Sequence, residues 1–497
     1  MILKKSLISL VFLLPNFITY ADQTIIINEL NISKSDIKKV DAFKNLSLEE
    51  ALYYMKNNNL ELKISQFDEQ MKALDAKVAQ SHGYGKLDLK VQALRSNDAG
   101  NIFGFKLKSR EANFGDFGFS DFMGAIGQGA QQANGDFGAF SQGLAQSGDS
   151  ILDIHPDDLN YPEARNHYQT TLTYMLPLYT GGKLDQYAKI TKALTVLSQL
   201  DTSKLLNEKI FQTTKTFYDI SLLEQYINNL KSIVKNIDKL EEIVSSMKEE
   251  GFAKDIDRLE VQAKKAEAQS MLSQASFNKK LAYQYLSFLL NHKADSIQPI
   301  NNLAPMPNLN ETDIYNSNID IQKAKLGLEV TGMAIKVQEA NFLPTVGAFG
   351  EYGSTDNKPL NHFIDKDFYT VGVQLEWNLF NGHMDQHNLE KARVENMKVQ
   401  EQIELAKKGT YLKINKLLTE AKSKDALVKN LQVQLDFASK VYRNYQERYK
   451  EGLNPISDVL VKQSKELEVL LKLLTAKNDR NAKIFEITSL TNKGEIQ

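Results

Sequence analysis

His383 and His387 stand four residues apart with Asp385 between them, a spacing that can bind zinc when it falls on one face of a helix. The matching segment earlier in the chain carries Gly182 and Gln186, so the architecture does not depend on the imidazoles. A solvated helix face is the reading taken. His155 with Asp153, Asp157 and Asp158 forms an acidic patch in a predicted loop, not a site. Thr180-Gly181-Gly182-Lys183 lacks the spacing of a phosphate-binding loop. No serine–histidine pair and no paired carboxylates are tied to a pocket. The chain has no cysteine, which removes disulfides, thiol catalysis and cysteine metal sites. No enzyme activity, cofactor or metal is expected. The formal charge of −2 becomes −4 without Lys4 and Lys5, which is not the balance of a nucleic-acid binder.

The chain opens with a targeting pattern. Lys4 and Lys5 precede an apolar run from Leu7 to Leu14, and Thr19-Tyr20-Ala21 supplies a small-x-small cleavage site. Residues 1–21 are therefore predicted to be a secretory signal peptide, with Asp22 as the first mature residue. Beyond them no run of 18 apolar residues occurs. Any membrane crossing must then be a β-barrel, because lipid tolerates only helices and closed sheets.

The elements that must position these residues come in duplicate. Leu178-Tyr179-Thr180-Gly181 matches Leu379-Phe380-Asn381-Gly382 at an offset of 201, and the same offset carries Gly251 and Asp257 onto Gly452 and Asp458. Upstream, Leu60-Glu61-Leu62 matches Ile319-Asp320-Ile321 at an offset of 259, so the first half holds 58 extra residues within 96–167. Each half predicts a helix (47–82 or 318–341), a strand (86–95 or 344–353), a loop and a second strand (168–179 or 368–380). A very long helix follows (182–249 or 383–450), then a tight turn at Gly251 or Gly452 and a returning helix (255–291 or 456–490).

The strands alternate. Val371, Val373, Leu375, Trp377 and Leu379 interleave with Gly372, Gln374, Glu376 and Asn378, and Leu87, Leu89, Val91 and Ala93 with Asp88, Lys90 and Gln92. An apolar and a polar face suit lipid outside and water inside; a strand half-buried on a soluble core has the same pattern. Trp377, Tyr179 and Phe380 at the helix-side ends fit an aromatic interface belt. Helices of nearly 70 residues reach about 100 Å. The series Tyr226, Leu230, Ile233, Ile237, Leu240, Val244, Met247 and Val428, Leu431, Leu435, Ala438, Tyr442, Tyr445, Tyr449 read as coiled-coil seams. Ala263, Ala266 and Ser270 are the expected small seam residues of the first returning helix. Four strands cannot close a barrel, so copies of the chain must complete it.

This layout resembles the TolC family of outer-membrane efflux proteins over about residues 47–490. The resemblance rests on Leu178-Tyr179-Thr180-Gly181-Gly182 and Asn378-Leu379-Phe380-Asn381-Gly382 at the strand–helix junctions. Gly251 with Asp257, Gly452-Leu453 with Asp458-Val459-Leu460, and Ala340-Asn341-Phe342-Leu343-Pro344 carry it as well. It implies a mainly α fold with β: tandem-repeat coiled coils forming an α-barrel, plus four strands per chain in a trimeric 12-stranded transmembrane β-barrel. It implies a homotrimer in outer-membrane lipid of a Gram-negative cell, with helices extending into the periplasm. It further implies an exit duct of a tripartite efflux or type I secretion system, docked on a periplasmic adaptor (a membrane fusion protein) and an inner-membrane pump. The division that follows is signal peptide 1–21, N-terminal periplasmic segment 22–46, first repeat 47–310, second repeat 311–490 and tail 491–497. In the family the periplasmic tip carries aspartates. Asp458 falls at the first such position, whereas the second is Val461. Asp458 and Asp257 are thus candidate gate residues, against the plainer reading of first-turn charges stabilised by the helix dipole. Gly251 and Gly452 are expected to permit the tight turns, beside the adaptor contact.

Residues 97–150 are rich in Gly and Phe and lie between two strands on the side away from the helices, as an extracellular loop would. Glycine favours a flexible loop there; the phenylalanines favour packing over the barrel mouth. The competing function is a secreted coiled-coil scaffold or adhesin without a pore, which has no use for duplicated amphipathic strands.

Overall fold

The structure, a computed structural model, describes residues 43–146, 155–359 and 364–491. The expected signal peptide, most of the segment 22–46 and the tail after Thr491 lie outside the described residues. Helices α1 (Leu48–Asn58) and α2 (Leu60–Ser81) lead to strand β1 (Lys86–Ser96). The insert follows with α3 (Ala99–Lys108), α4 (Phe119–Gln132) and α5 (Phe137–Gln146). Then come β2 (Arg165–Tyr179), α6 (Lys183–Glu249) and α7 (Asp255–Leu290). The second half runs α8 (Glu311–Ser317), α9 (Ile319–Glu339), β3 (Thr345–Asp356), β4 (Asp367–Glu376), α10 (Met384–Lys450) and α11 (Ile456–Leu490).

The region 47–82, expected as one helix, is two. Asn59 leaves the helical backbone at ψ 127 and its side-chain oxygen accepts the Leu62 N–H, capping α2. Asn318 does the same for Ile321 at the start of α9. Asparagine competes for local backbone bonds in this way, which favours caps over helix interiors. β4 ends at Glu376, four residues before the expected Phe380. Its partner β3 starts at Thr345, which pairs with Glu376, and the preceding Pro344 has no N–H to extend the ladder.

The four strands form one antiparallel sheet in the order β1-β2-β3-β4. The β1–β2 hairpin pairs Lys86 with Met175, and the β3–β4 hairpin pairs Thr345 with Glu376. Thr345 is 259 residues after Lys86, and Glu376 is 201 after Met175, so the sequence offsets carry one hairpin register onto the other. Tyr369, Val371, Val373 and Leu375 of β4 and Leu87, Leu89 and Val91 of β1 are all exposed on the single chain. No described helix is long and apolar enough to cross a membrane.

The chain divides into two compact units, each drawing segments from both repeats. The first comprises residues to Asn57, 216–301 and 449–460. Its core is the seam of α6, where Leu230, Ile237, Leu240 and Val244 are fully buried. The α7 stripe is Val261, Ala268 and Ala275, at seven-residue spacing. The expected seam residues Ala263, Ala266 and Ser270 are instead partly or wholly exposed on α7. Several alanines at coiled-coil spacings left the phase of that helix open, and packing selected the stripe that includes Val261. Parallel bridges Phe43–Ala294 and Leu46–Ile297 stitch the segment before α1 to the segment after α7.

The second unit comprises 58–215, 302–448 and 461 onward. Val428 and Leu431 of α10 pack on Val469, Leu473 and Ala476 of α11, as the second seam predicts. Within each repeat the long helix meets the shorter one in the same way. Thr195 donates to the Lys72 carbonyl, and its equivalent Asn396 donates to Thr331 and to the Leu328 carbonyl. Between repeats, α6 meets α9 through the ion pairs Lys204–Asp320 (2.6 Å) and Lys323–Asp201. The buried Arg480 bonds Asp425 (2.7 Å) and the Ala304 carbonyl (2.7 Å), clipping the inter-repeat linker to α11.

The described insert is helical. Asp98 caps α3, and Ile102 and Phe105 are buried, with the Phe105 ring stacked on His167 at 4.0 Å. The base of the insert is held by an ionic network. Glu111 pairs with Arg165 and Lys366, Lys366 also bonds Asp356 (2.8 Å), Lys106 pairs with Asp116, and Arg110 donates to the Asp365 carbonyl (2.9 Å).

Candidate functional site

Three places gather the residues singled out by the sequence: the strand–helix junctions, the turns between long helices, and the base of the insert. At the junctions two consecutive residues are left-handed in each repeat: Gly181 (φ +64°) and Gly182 (φ +82°), then Gly382 (φ +69°) and His383 (φ +66°). Glycine adopts this region freely; other residues do so at a cost. At Gly181 space matters as well, since an added Cβ would lie 2.9 Å from the Ala340 carbonyl oxygen. Lys183 begins α6, and its ammonium donates to Asn341 (3.0 Å).

His383 therefore lies before the first turn of α10, not on the helix face expected for a metal pair. Its Nδ1 is 3.4 Å from Gln386, whereas His387 approaches Glu390 at 3.3 Å. The left-handed backbone imposed by the repeat is what takes His383 off the helix. Among the described residues no group of His, Asp and Glu converges to hold a metal. Tyr179 ends β2, and Trp377 and Phe380 follow β4; all three are exposed. The Trp377 indole N–H donates to the Phe342 carbonyl (3.1 Å), fixing the ring at the helix-side end of the sheet.

At the turns Gly251 (φ +81°) and Gly452 (φ +73°) are left-handed in open space. The requirement for glycine there is conformational alone, as expected from the tight turns. The Asp257 carboxylate accepts the Lys254 N–H (2.8 Å) and so closes the N-terminus of α7. Asp458 sits in the first turn of α11 above the buried Ile456 and Val459, its side chain exposed. Asp255 is bonded by Lys248 (2.6 Å) and Arg258, and the Lys248 hydrogen bond holds its carboxyl below the usual carboxylate range.

Two features were missed in the sequence. Tyr449 is buried, and its hydroxyl has no hydrogen-bond partner among the described residues. Burial, and after it the negative charge of Asp257, raises its pKa. The seam series named Tyr449, but only as a packing residue. The ionic base of the insert was missed as well, because its members are scattered from Lys106 to Lys366. Burial alone would raise the Glu111 carboxyl; hydrogen bonds from Lys366 and Arg165 and their charges override it and hold it below the usual range.

Residues 313–493 match the family model of outer membrane efflux proteins. No curated protein matches the sequence. The fold matches the Campylobacter jejuni CmeC outer membrane channel at TM-score 0.70 and 15% identity, over 90% of this chain and 86% of that one. It matches the outer membrane protein VceC of Vibrio cholerae at TM-score 0.68 and 13% identity, covering 90% and 96%. It matches the open state of the Neisseria gonorrhoeae MtrE outer membrane channel at TM-score 0.68 and 12% identity, covering 91% and 90%. The resemblance to the TolC family read from the sequence is borne out: this chain has the fold of outer-membrane efflux channels, and its second half carries their family model.

Proposed function

We propose that this chain is one subunit of a homotrimeric outer-membrane exit duct that passes substrates passively from the periplasm to the exterior. The observation that carries this is the sheet. It exposes a row of large apolar side chains on one face and leaves β1 and β4 as unpaired edges among the described residues. Exposed apolar faces and open edges are liabilities in water, and lipid plus further copies satisfy both. Helices of 67 residues attached to the same strands supply a periplasmic tunnel of about 100 Å. A scaffold without a pore would leave the apolar sheet face unexplained.

The turns at Gly251 and Gly452 form the periplasmic tip. Phe252 and Leu453 are exposed beside them and offer the apolar contact for a periplasmic adaptor, itself served by an inner-membrane pump that supplies the energy. Asp458 contributes a carboxylate at the tip constriction. Asp257 acts less directly, because its carboxylate already caps α7; Tyr449 beside it would report movement of these helices. Trp377, Tyr179 and Phe380 form the membrane-interface belt on the periplasmic side. The test is conductance in planar bilayers with the full chain purified from outer membranes. Discrete trimer-sized channels are expected, and a stable detergent-soluble protein that never raises conductance would refute the duct.

A further inference from the structure

Leu89 pairs with Leu172, Leu172 with Tyr352, and Tyr352 with Tyr369, so one exposed apolar row runs across all four strands. His167 and Thr171 of β2 and Thr355 of β3 stand at the alternate positions, on the face that meets water in the duct. Asp88 and Gln374 on that face are exposed, yet His167, Thr171 and Thr355, toward the end away from the long helices, are buried. What covers this end is α3. It starts just after β1, capped by Asp98, and its buried side is Ile102 and Phe105, with the Phe105 ring stacked on His167. At its far end Arg110 donates to the Asp365 and Asp367 carbonyls at the start of β4. The helix therefore crosses the sheet from β1 to β4. Its 10 residues are about 15 Å long, and four strands spaced about 4.8 Å apart span about 14 Å. The side opposite Ile102 and Phe105 carries Gly100, Gly104 and Leu107, with Lys108 exposed beside them. Nothing lies within 4 Å of the position a Gly104 side chain would take.

We infer that α3 is a fixed collar on the lumen side of the outer mouth, one arc from each copy, and that Lys108 makes this collar favour anions. This rests on the duct reading and assigns a second selective element to it, at the opposite end from the tip. A helix as long as the sheet is wide lines the whole share of the mouth that one chain supplies. It is a wall and not a lid, because Ile102 and Phe105 are buried beneath it and Asp98 and Arg110 tie down its two ends. The narrowing comes from this helix and not from the phenylalanine-rich part of the insert, where Phe114 and Phe137 stay exposed. Most basic groups around the collar are neutralised locally. Lys106 pairs with Asp116, Arg165 with Glu111, Lys366 with Glu111 and Asp356, and Arg110 faces Asp367 at 4.0 Å. Lys108 makes no ion pair among the described residues. Deeper on the same face Lys86 pairs with Asp88 (2.9 Å), and Lys90, Glu351 and Glu376 carry the remaining charge. The positive excess therefore sits at the mouth. A ring of lysines is a means by which pores attract anions and repel cations.

The test is the reversal potential and single-channel conductance of the full chain in planar bilayers under a potassium chloride gradient. Lys108→Glu should lower the chloride-to-potassium permeability ratio by about twofold or more near 0.1 M salt, where the field of a charge reaches about 10 Å. The shift should shrink near 1 M, where that reach is about 3 Å. Lys108→Gln should fall between the unsubstituted chain and Lys108→Glu. Gly104→Phe places a ring in open space and removes a glycine from a helix interior, so folding should hold while conductance falls. A permeability ratio unmoved by Lys108→Glu, or a conductance unmoved by Gly104→Phe, overturns the collar and leaves the duct standing. An unsubstituted chain that never conducts overturns both.

Discussion

Gly181 and Gly452 share a left-handed backbone and differ in what surrounds them. At Gly452 a methyl group meets nothing, so Gly452→Ala should cost only the conformational penalty, about 1 kcal/mol. At Gly181 the same change also forces the Ala340 carbonyl away, and overpacking of this kind adds about 1–3 kcal/mol. Thermal unfolding of the purified variants should rank them in that order, and equal losses would remove the steric argument. The glycine pattern was legible in the sequence because both turns and both junctions repeat it. His383 was not. Its spacing from His387 reads as a helical pair, yet the duplicated Gly182 shows that the position is left-handed, a signal available only from the repeat. The burial of Tyr449 against the charge of Asp257 could not be read at all, since the two lie on different helices nearly 200 residues apart in sequence.

At the scale of elements, strands and long helices were readable because each carries its own period. The insert was not, because glycine-rich composition argues for flexibility while its order comes from contacts distant in sequence. The described part is helical and clamped at its base, and Glu111 is the centre of the clamp. A carboxyl held below its ordinary value contributes stability above the unfolded pKa of about 4.3, and loses it as pH falls through the lowered folded value. Protection factors for hydrogen exchange over residues 99–117, which correct for the slower intrinsic exchange in acid, should therefore be high at neutral pH and fall only below about pH 4. Glu111→Gln should weaken protection there by about 1–3 kcal/mol at neutral pH, because Arg165 loses a charged partner. Protection unchanged by either acid or substitution would mean that the buried Phe105 and Ile102, not the ion pairs, hold the insert. Phe114 and Phe137 stay almost fully exposed, so the aromatic packing expected of this loop is only partly satisfied within one chain.

For the whole molecule, the proposed tip makes a prediction that the packing does not. Asp458 is exposed, so its removal should leave folding intact. In planar bilayers Asp458→Ala should change conductance or relieve block by multivalent cations, since a ring of carboxylates attracts them. Unchanged current and block would return Asp458 to the role of a first-turn charge favoured by the helix dipole. The substitution of Val461 for a second carboxylate makes any effect smaller than two acidic rings would give.

The sequence by itself determined the duplication, the alternating strands, the length of the helices and the glycines at their turns, because all of these are local periods or local backbone demands. Tertiary structure alone decided which stripe of α7 is buried, where β4 stops, and which distant charges clamp the insert. Those outcomes depend on which surfaces meet, and a pattern that fits two phases equally well is resolved only when a partner excludes water from one of them.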